Sequence, residues 1–245
     1  CGLNEHSCVL LSATGIKLSS GKRPLLVQSP NFTSEVLFLR DDDIPASVAS
    51  GVADVGIVGL NGFLEKERKA EIVKELGFSK CRLSLAIPKD IDYPGLSWFN
   101  GRKIATSYPV ILRRYLQANH ISADIHIITG SVEIAPGIGL ADAIFDIVSS
   151  GSTLVSNNLR EVEVVVKSEA VLIATPGLSE EKKEILNEFL FRMEAVQKAE
   201  DKKYVLMNAP TSAVDDILAV LPGIKSPTVM PLTQEECGSI HTVLD

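Results

Sequence analysis

The chain has 245 residues and a mass of 26.4 kDa, too long for one minimal core and suited to two domains. With 45% hydrophobic and 22% charged residues, wholesale disorder is excluded, and no run reaches the about 20 apolar residues of a membrane span. A balance of 24 basic against 31 acidic side chains, net −7, weighs against a nucleic-acid binder but allows a small anionic ligand held by local backbone dipoles.

In chain order, Val36–Leu39 reads as a strand. Asp41–Asp43 and Pro45 then open a short helix that ends near Gly51, proline early and glycine late. Val55–Leu60 is short and nearly all apolar, as expected of a buried parallel strand. Arg82–Ile87 and Lys103–Ser107 are further strands, and Pro109 starts a helix through about Asn119. Asp124–Ile128 and Ala143–Val148 continue an alternation that argues α/β architecture with mostly parallel sheets. The polar stretch Lys89–Gly101 reads as a crossover between two α/β lobes, and Val162–Lys167 as the return, leading into Ala170–Ala174. Ser179 caps a helix with Glu180 and Glu181 in its first turn. Ile185, Leu186, Phe189, Leu190 and Met193 form its apolar stripe, and Lys198–Lys203 is a linker or helix end. In the tail, Tyr204–Met207 is a strand, Thr211 caps a helix that Gly223 ends, and Thr228–Leu232 and Ile240–Leu244 are strands. That β-α-β-β order lacks the second helix and fourth strand of a ferredoxin-like unit, so the small domain is expected to be cut short.

Cys1, Cys8, Cys81 and Cys237 match neither a disulfide framework nor a CxxC pair and read as reduced cytosolic thiols. Cys1, His6 and Cys8 resemble half a metal site, but no second ligand pair follows. The chemistry concentrates in Asp142–Leu154. There an apolar strand delivers Asp146 and then Ser149, Ser150, Gly151, Ser152 and Thr153. Small residues let successive amides point into one concavity, and hydroxyls add donors. Asp146 does not favour bare phosphate, so the pattern fits a sugar phosphate with Mg²⁺, or else a polar strand-to-helix turn. Arg40–Asp43 sits at the end of a strand, either gripping a phosphate through Arg40 or simply decorating a helix start with acids. Gly51, Gly56 and Gly59 fit neither the dinucleotide fingerprint nor a P-loop. Glu133 is either a first-turn acid or a substrate contact.

Several segments together resemble the ATP phosphoribosyltransferase family. They are R-D-D-D-I-P (40–45), D-V-G-I-V-G (54–59), G-x-x-x-C-R-L-S-L-A (77–86), G-R-K-I-A-T-S-Y-P (101–109), G-S-V-E-I-A-P (130–136) and G-L-A-D-A-I-F-D-I-V-S-S-G-S-T-L (139–154). L-R-E-V-E (159–163), K-Y-V-L-M-N-A-P-T (203–211) and L-P-G-I-K-S-P-T-V-M-P-L (221–232) extend the resemblance over nearly the whole chain.

The resemblance implies a two-lobed catalytic core like type II periplasmic binding proteins, with a C-terminal ferredoxin-like (ACT-like) regulatory domain as in the family's long form. The short form instead relies on a separate partner subunit. Residues 1–88, completed by 168–200, would form lobe I, 89–167 lobe II and 201–245 the incomplete regulatory domain. The implied reaction joins N1 of ATP to the anomeric carbon of phosphoribosyl pyrophosphate and opens histidine biosynthesis in the cytoplasm, with Mg²⁺ as cofactor. Asp146, Ser149, Ser150, Gly151, Ser152, Thr153 and Leu154 would bind phosphoribosyl pyrophosphate. Arg40, Asp42, Asn61 and Glu133 would bind ATP, and Asp146 and Glu133 would be catalytic. Asn208, Ser226 and Thr228 would bind histidine as inhibitor. The implied assembly is a homo-oligomer, an active dimer exchanging with an inhibited hexamer, with no nucleic acid or membrane partner. Family members open with a strand and a Gln-Lys-x-Gly-Arg-like segment that nothing upstream of Cys1 supplies, so a fragment is expected. Two other readings compete. A non-catalytic solute-binding protein would share the two-lobed fold. A catalytically dead regulatory subunit would not need Asp146, Gly151 and Thr153.

Overall fold

The computed structural model describes residues 2–18, 25–200, 202–221, 227–233 and 236–244. Contacts divide the chain into two units, Cys1–Leu11 with Lys17–Lys182, and Ser12–Ile16 with Lys183–Asp245. Helix α1 (Leu3–Ala13) opens the chain, and β1 (Leu26–Gln28) pairs antiparallel with β2 (Glu35–Leu37). Helix α2 (Ile44–Ala49) has Pro45 in its first turn, as the proline position predicts.

β3 (Val55–Gly59), helix α3 (Leu60–Lys66) and β4 (Glu71–Glu75) follow, then β5 (Cys81–Pro88) and β6 (Lys103–Thr106). Next come α4 (Pro109–Ala118), β7 (Asp124–Ile127), β8 (Ala143–Val148), α5 (Ser152–Ser156), β9 (Leu159–Ser168) and β10 (Ala170–Ala174). One sheet has the order β3-β10-β4 and the other β7-β6-β8-β5-β9. The strand alternation was expected to give mostly parallel sheets, and here the structure differs. β3 and β4 both pair antiparallel with β10, and among the described residues parallel pairing is confined to β6 with its neighbours β7 and β8. β3 is an edge strand with only Val58 buried, so its apolar run marks a strand without marking its direction.

β5 pairs with β8 and β9. The stretch Lys89–Gly101 therefore links two strands of the second sheet instead of crossing between sheets. The change of sheet falls between β4 and β5, where Gly77 and Ser79 turn the chain with positive φ. The return is tighter still: only Glu169 separates β9 from β10.

The five-stranded sheet is buried on both faces. On one, Leu83, Leu85 and Phe145 pack with Phe99 and with Ile111, Leu112 and Leu116 of α4. On the other, Ala86, Ile144 and Val148 pack with Val132, Ala135 and Leu154. The smaller sheet buries Val58, Val171 and Ile173 against Val48 of α2.

Helix α6 (Glu180–Glu200) begins where the sequence places it, and its Lys182 amide donates to Ser179 Oγ (3.4 Å). It runs through Lys198–Glu200, so the first half of the Lys198–Lys203 stretch is the helix end. In the second unit, β11 (Lys203–Pro210), helix α7 (Val214–Val220), β12 (Thr228–Pro231) and β13 (Cys237–Leu244) give an antiparallel sheet of order β11-β13-β12. Ala209, Val214 and Ile240 form its core. Thr211 does not cap α7. Its amide donates to the Glu236 carbonyl (2.8 Å), and a 3-10 turn over Thr211–Ala213 precedes the helix. Gly223 lies outside the described residues. Among the described residues no helix is long and apolar enough to cross a membrane.

Candidate functional site

Register decides which side chains share a face of the larger sheet. Arg82 lies opposite Val148, Ser84 opposite Asp146 and Ala86 opposite Ile144. These six therefore project from one face, the one that Val132 and Leu154 cover. Asp146 stands near the carboxyl end of β8, which runs parallel to β6, and ligands gather beyond such strand ends in α/β sheets. Burial pushes the Asp146 carboxyl above its ordinary value. The Ile147 amide opposes that, and the charge of Glu133 adds to it. Glu133 sits in a 3-10 turn, Val132–Ile134, entered through Ser131 in the left-handed region.

The chain leaves β8 through Ser149 and Ser150 and turns at Gly151, whose φ of 82° a side chain would resist. The first backbone bond of α5 runs from the Val155 amide to the Gly151 carbonyl (3.2 Å), so the amides ahead of it have no partner within the helix. The hydroxyls of Ser150 and Ser152 are 2.9 Å apart. Ser149, Ser150, Ser152 and Thr153 are exposed, Gly151 is half-buried and Leu154 is buried. Leu154 thus offers its amide while its side chain packs the core. At five residues, α5 adds little dipole, and the turn's own donors are what remain.

The other predicted residues lie nearer the smaller sheet. Arg40 is exposed, and Asp42 pairs with Lys66 (3.3 Å). Asn61 is buried and already engaged: its Oδ1 accepts from Ser168 Oγ (2.9 Å) and its Nδ2 donates to Tyr108 Oη (3.0 Å). Burial pushes the Tyr108 hydroxyl up to about 12, with smaller contributions from Asp146, Cys81 and Asp42. Tyr108 therefore stands within electrostatic reach of both the Asp146 and the Asp42 regions. Nearby, the Glu65 carboxylate accepts from the Val110 and Ile111 amides (2.9 and 3.0 Å), capping α4 from α3. Tyr108 and Glu65 were not singled out from sequence, although Tyr108 lies two residues past β6 and precedes the helix-starting Pro109.

A polar group on β5 was also missed. Arg82 grips Glu161 at two points, Nε to Oε1 (2.5 Å) and Nη2 to Oε2 (2.6 Å), and its Nη1 donates to the Ser149 carbonyl (3.0 Å). Ser84 donates to Glu161 Oε1 (2.6 Å). Two polar residues spaced by two in an otherwise apolar strand were the available signal.

In the second unit Asn208 lies opposite Ser239, and Thr228 opposite His241. Asn208 and Thr228 thus share one sheet face, flanking β13. On that face His241 meets the hydroxyls of Tyr204 and Ser239. Ser226 lies outside the described residues, as does Cys1. His6 and Cys8 bond within α1 and its lead-in, to the Gly2 carbonyl and Asn4 Oδ1. Among the described residues no three or more His, Cys, Asp or Glu side chains form a metal cluster.

The family model described as ATP phosphoribosyltransferase matches residues 40–195, and that of the HisG C-terminal domain matches 199–245. A protein of Bacteroides thetaiotaomicron named ATP phosphoribosyltransferase is 71% identical over 99% of this chain and 86% of its own length. One of Parabacteroides distasonis with the same name is 64% identical over the same shares. Among solved structures, the ATP phosphoribosyl transferase (HisG:HisZ) complex from Thermotoga maritima aligns with a TM-score of 0.69 and 28% identity, over 80% of this chain and 94% of that one. A substrate-binding protein of an amino acid ABC transporter aligns with a TM-score of 0.53 at 10% identity, over 81% of this chain and 82% of that one, a likeness of fold alone.

Proposed function

The chain belongs to the ATP phosphoribosyltransferase family, and from that premise we propose that the turn after β8 binds phosphoribosyl pyrophosphate beside Asp146. The amides and hydroxyls of Ser149–Thr153 would hold the 5′-phosphate, with the Leu154 amide behind them. The Asp146 carboxylate would accept from the ribose hydroxyls. N1 of ATP would attack the anomeric carbon as the bond to pyrophosphate breaks. That nitrogen carries a free lone pair, so no strong base has to act, and catalysis rests on positioning and on charge stabilisation. Asp146 would face the positive charge that develops on the ribose, and Glu133 would contact the adenine amine or its ribose. Arg40 would meet the nucleotide's phosphates. Asn61 would act mainly by holding Tyr108 and Ser168, since its own amide is occupied by them.

Asp146 and Glu133 supply two hard carboxylate donors within electrostatic reach of one another, too few for an all-protein cage. That set fits Mg²⁺, which keeps waters and shares its shell with substrate phosphates. When bound, Mg²⁺ would neutralise charge on the leaving pyrophosphate.

The observation that carries this reading is a half-buried carboxylate near a strand end, followed closely by a glycine-pivoted turn of exposed hydroxyls. In an assay with ATP, phosphoribosyl pyrophosphate and Mg²⁺, Asp146→Asn should lower turnover about a hundredfold while the circular dichroism stays native. Unchanged turnover would remove Asp146 from its role.

The second unit, in this reading, is a ferredoxin-like regulatory domain that binds histidine on the face carrying Asn208 and Thr228; Ser226, the third expected contact, lies outside the described residues. Feedback inhibition by histidine, a place at the head of histidine biosynthesis and a dimer exchanging with a hexamer belong to the same proposal. The match of residues 199–245 to the C-terminal domain supports it.

A further inference from the structure

Outside the residues already given a role, the best-built polar group is Arg82, Glu161 and Ser84 on β5 and β9. Three donated bonds converge on the Glu161 carboxylate, and Arg82 spends its remaining arm on the carbonyl of Ser149, the first residue of the turn. The Arg82–Glu161 pair is about one-third exposed or less on each side. The Arg82 fork holds the Glu161 carboxyl below its ordinary value, against the opposing effect of burial.

We infer that Arg82, held by Glu161, is a positioning residue that anchors the 149–153 turn through the Ser149 carbonyl and thereby sets affinity for the sugar pyrophosphate. This rests on the reading of that turn as the 5′-phosphate site. The geometry gives Arg82 little freedom. Two of its nitrogens are fixed in a planar bidentate pair, so the third can reach only one place, and Ser149 occupies it. Orienting that carbonyl fixes the peptide between Ser149 and Ser150, and so the direction of the next amide. Ser84 lies opposite Asp146 in the ladder and also donates to Glu161. The network thus ties the turn to the strand pair that carries the ribose-binding carboxylate. A phosphate site made of backbone donors has affinity only when those donors are held in place before the ligand arrives.

The test compares Michaelis constants for the two substrates in Arg82→Ala, Arg82→Lys, Glu161→Gln and Thr153→Val, with the wild-type chain alongside. Loss of the charged anchor in Arg82→Ala should raise KM for phosphoribosyl pyrophosphate about tenfold, leaving KM for ATP unchanged. Millimolar guanidinium ion should lower it again by refilling the gap. Arg82→Lys keeps the charge but cannot make the fork, and should show the same split if the alanine variant does not fold. Glu161→Gln should fall between wild type and Arg82→Ala. Equal rises in both constants, or no rise in either Arg82 variant, would overturn the anchor. If Thr153→Val raises KM for phosphoribosyl pyrophosphate and the Arg82 variants do not, the turn stands and the anchor falls. If Thr153→Val has no effect, the phosphate reading of the turn falls first.

Discussion

Two carboxylates on the strands that flank β5 are shifted in opposite directions, and each carries a stability signature. Glu161 is held below its ordinary value by Arg82. Its contribution is therefore complete above the ordinary carboxylate range and is lost as pH falls through the depressed value. Thermal unfolding of Glu161→Gln should converge with wild type in acid and fall below it at neutral pH; parallel curves would deny the coupling. Asp146 is raised, chiefly by burial. Its ionisation opposes folding, so stability is lost as pH rises from the ordinary value through the raised one. Asp146→Asn should therefore melt higher than wild type at neutral pH, even as its turnover collapses. A variant that melts lower would show that its carboxylate is needed for packing.

At the scale of elements, the turn at Gly151 and the start of α4 are the sensitive points. Gly151→Ala should cost about 1 kcal/mol for a left-handed alanine and raise KM for phosphoribosyl pyrophosphate, measured by thermal melts and kinetics on one preparation. Glu65→Ala should cost about 1 kcal/mol by uncapping α4, with no effect on helices elsewhere. Strands with a clear apolar run, such as Cys81–Pro88 and Ala143–Val148, were legible in the sequence, as was the α6 cap at Ser179. Strand direction was not, because a buried run looks the same both ways. The change of sheet was misplaced because the polar stretch 89–101 outweighs the five residues around Gly77 and Ser79 that make the switch. Of the candidate site, Asp146 and its turn could be read from spacing. Arg82, Glu161 and Tyr108 could not, because their partners are distant in sequence: 79 residues separate Arg82 from Glu161.

At the scale of the molecule, the proposed substrate site and the proposed regulatory site belong to different units of the chain. Substitutions on the exposed face of the second unit should then separate the two. Asn208→Ala and Thr228→Ala should weaken inhibition by histidine while turnover without histidine stays at the wild-type rate, read from inhibition curves of each variant. Loss of basal turnover in either would argue against a purely regulatory face.

The position of Glu65 bears on where negative charge can settle. A ten-residue helix such as α4 ordinarily advertises a positive end that any phosphate could claim. Here two of those amides already hold a carboxylate from the chain itself. The protein thus carries its own counter-ion at the stronger trap and silences it. An incoming polyphosphate would meet no decoy there, and the site proposed in the short turn beyond β8 would face no competition from a bare helix end.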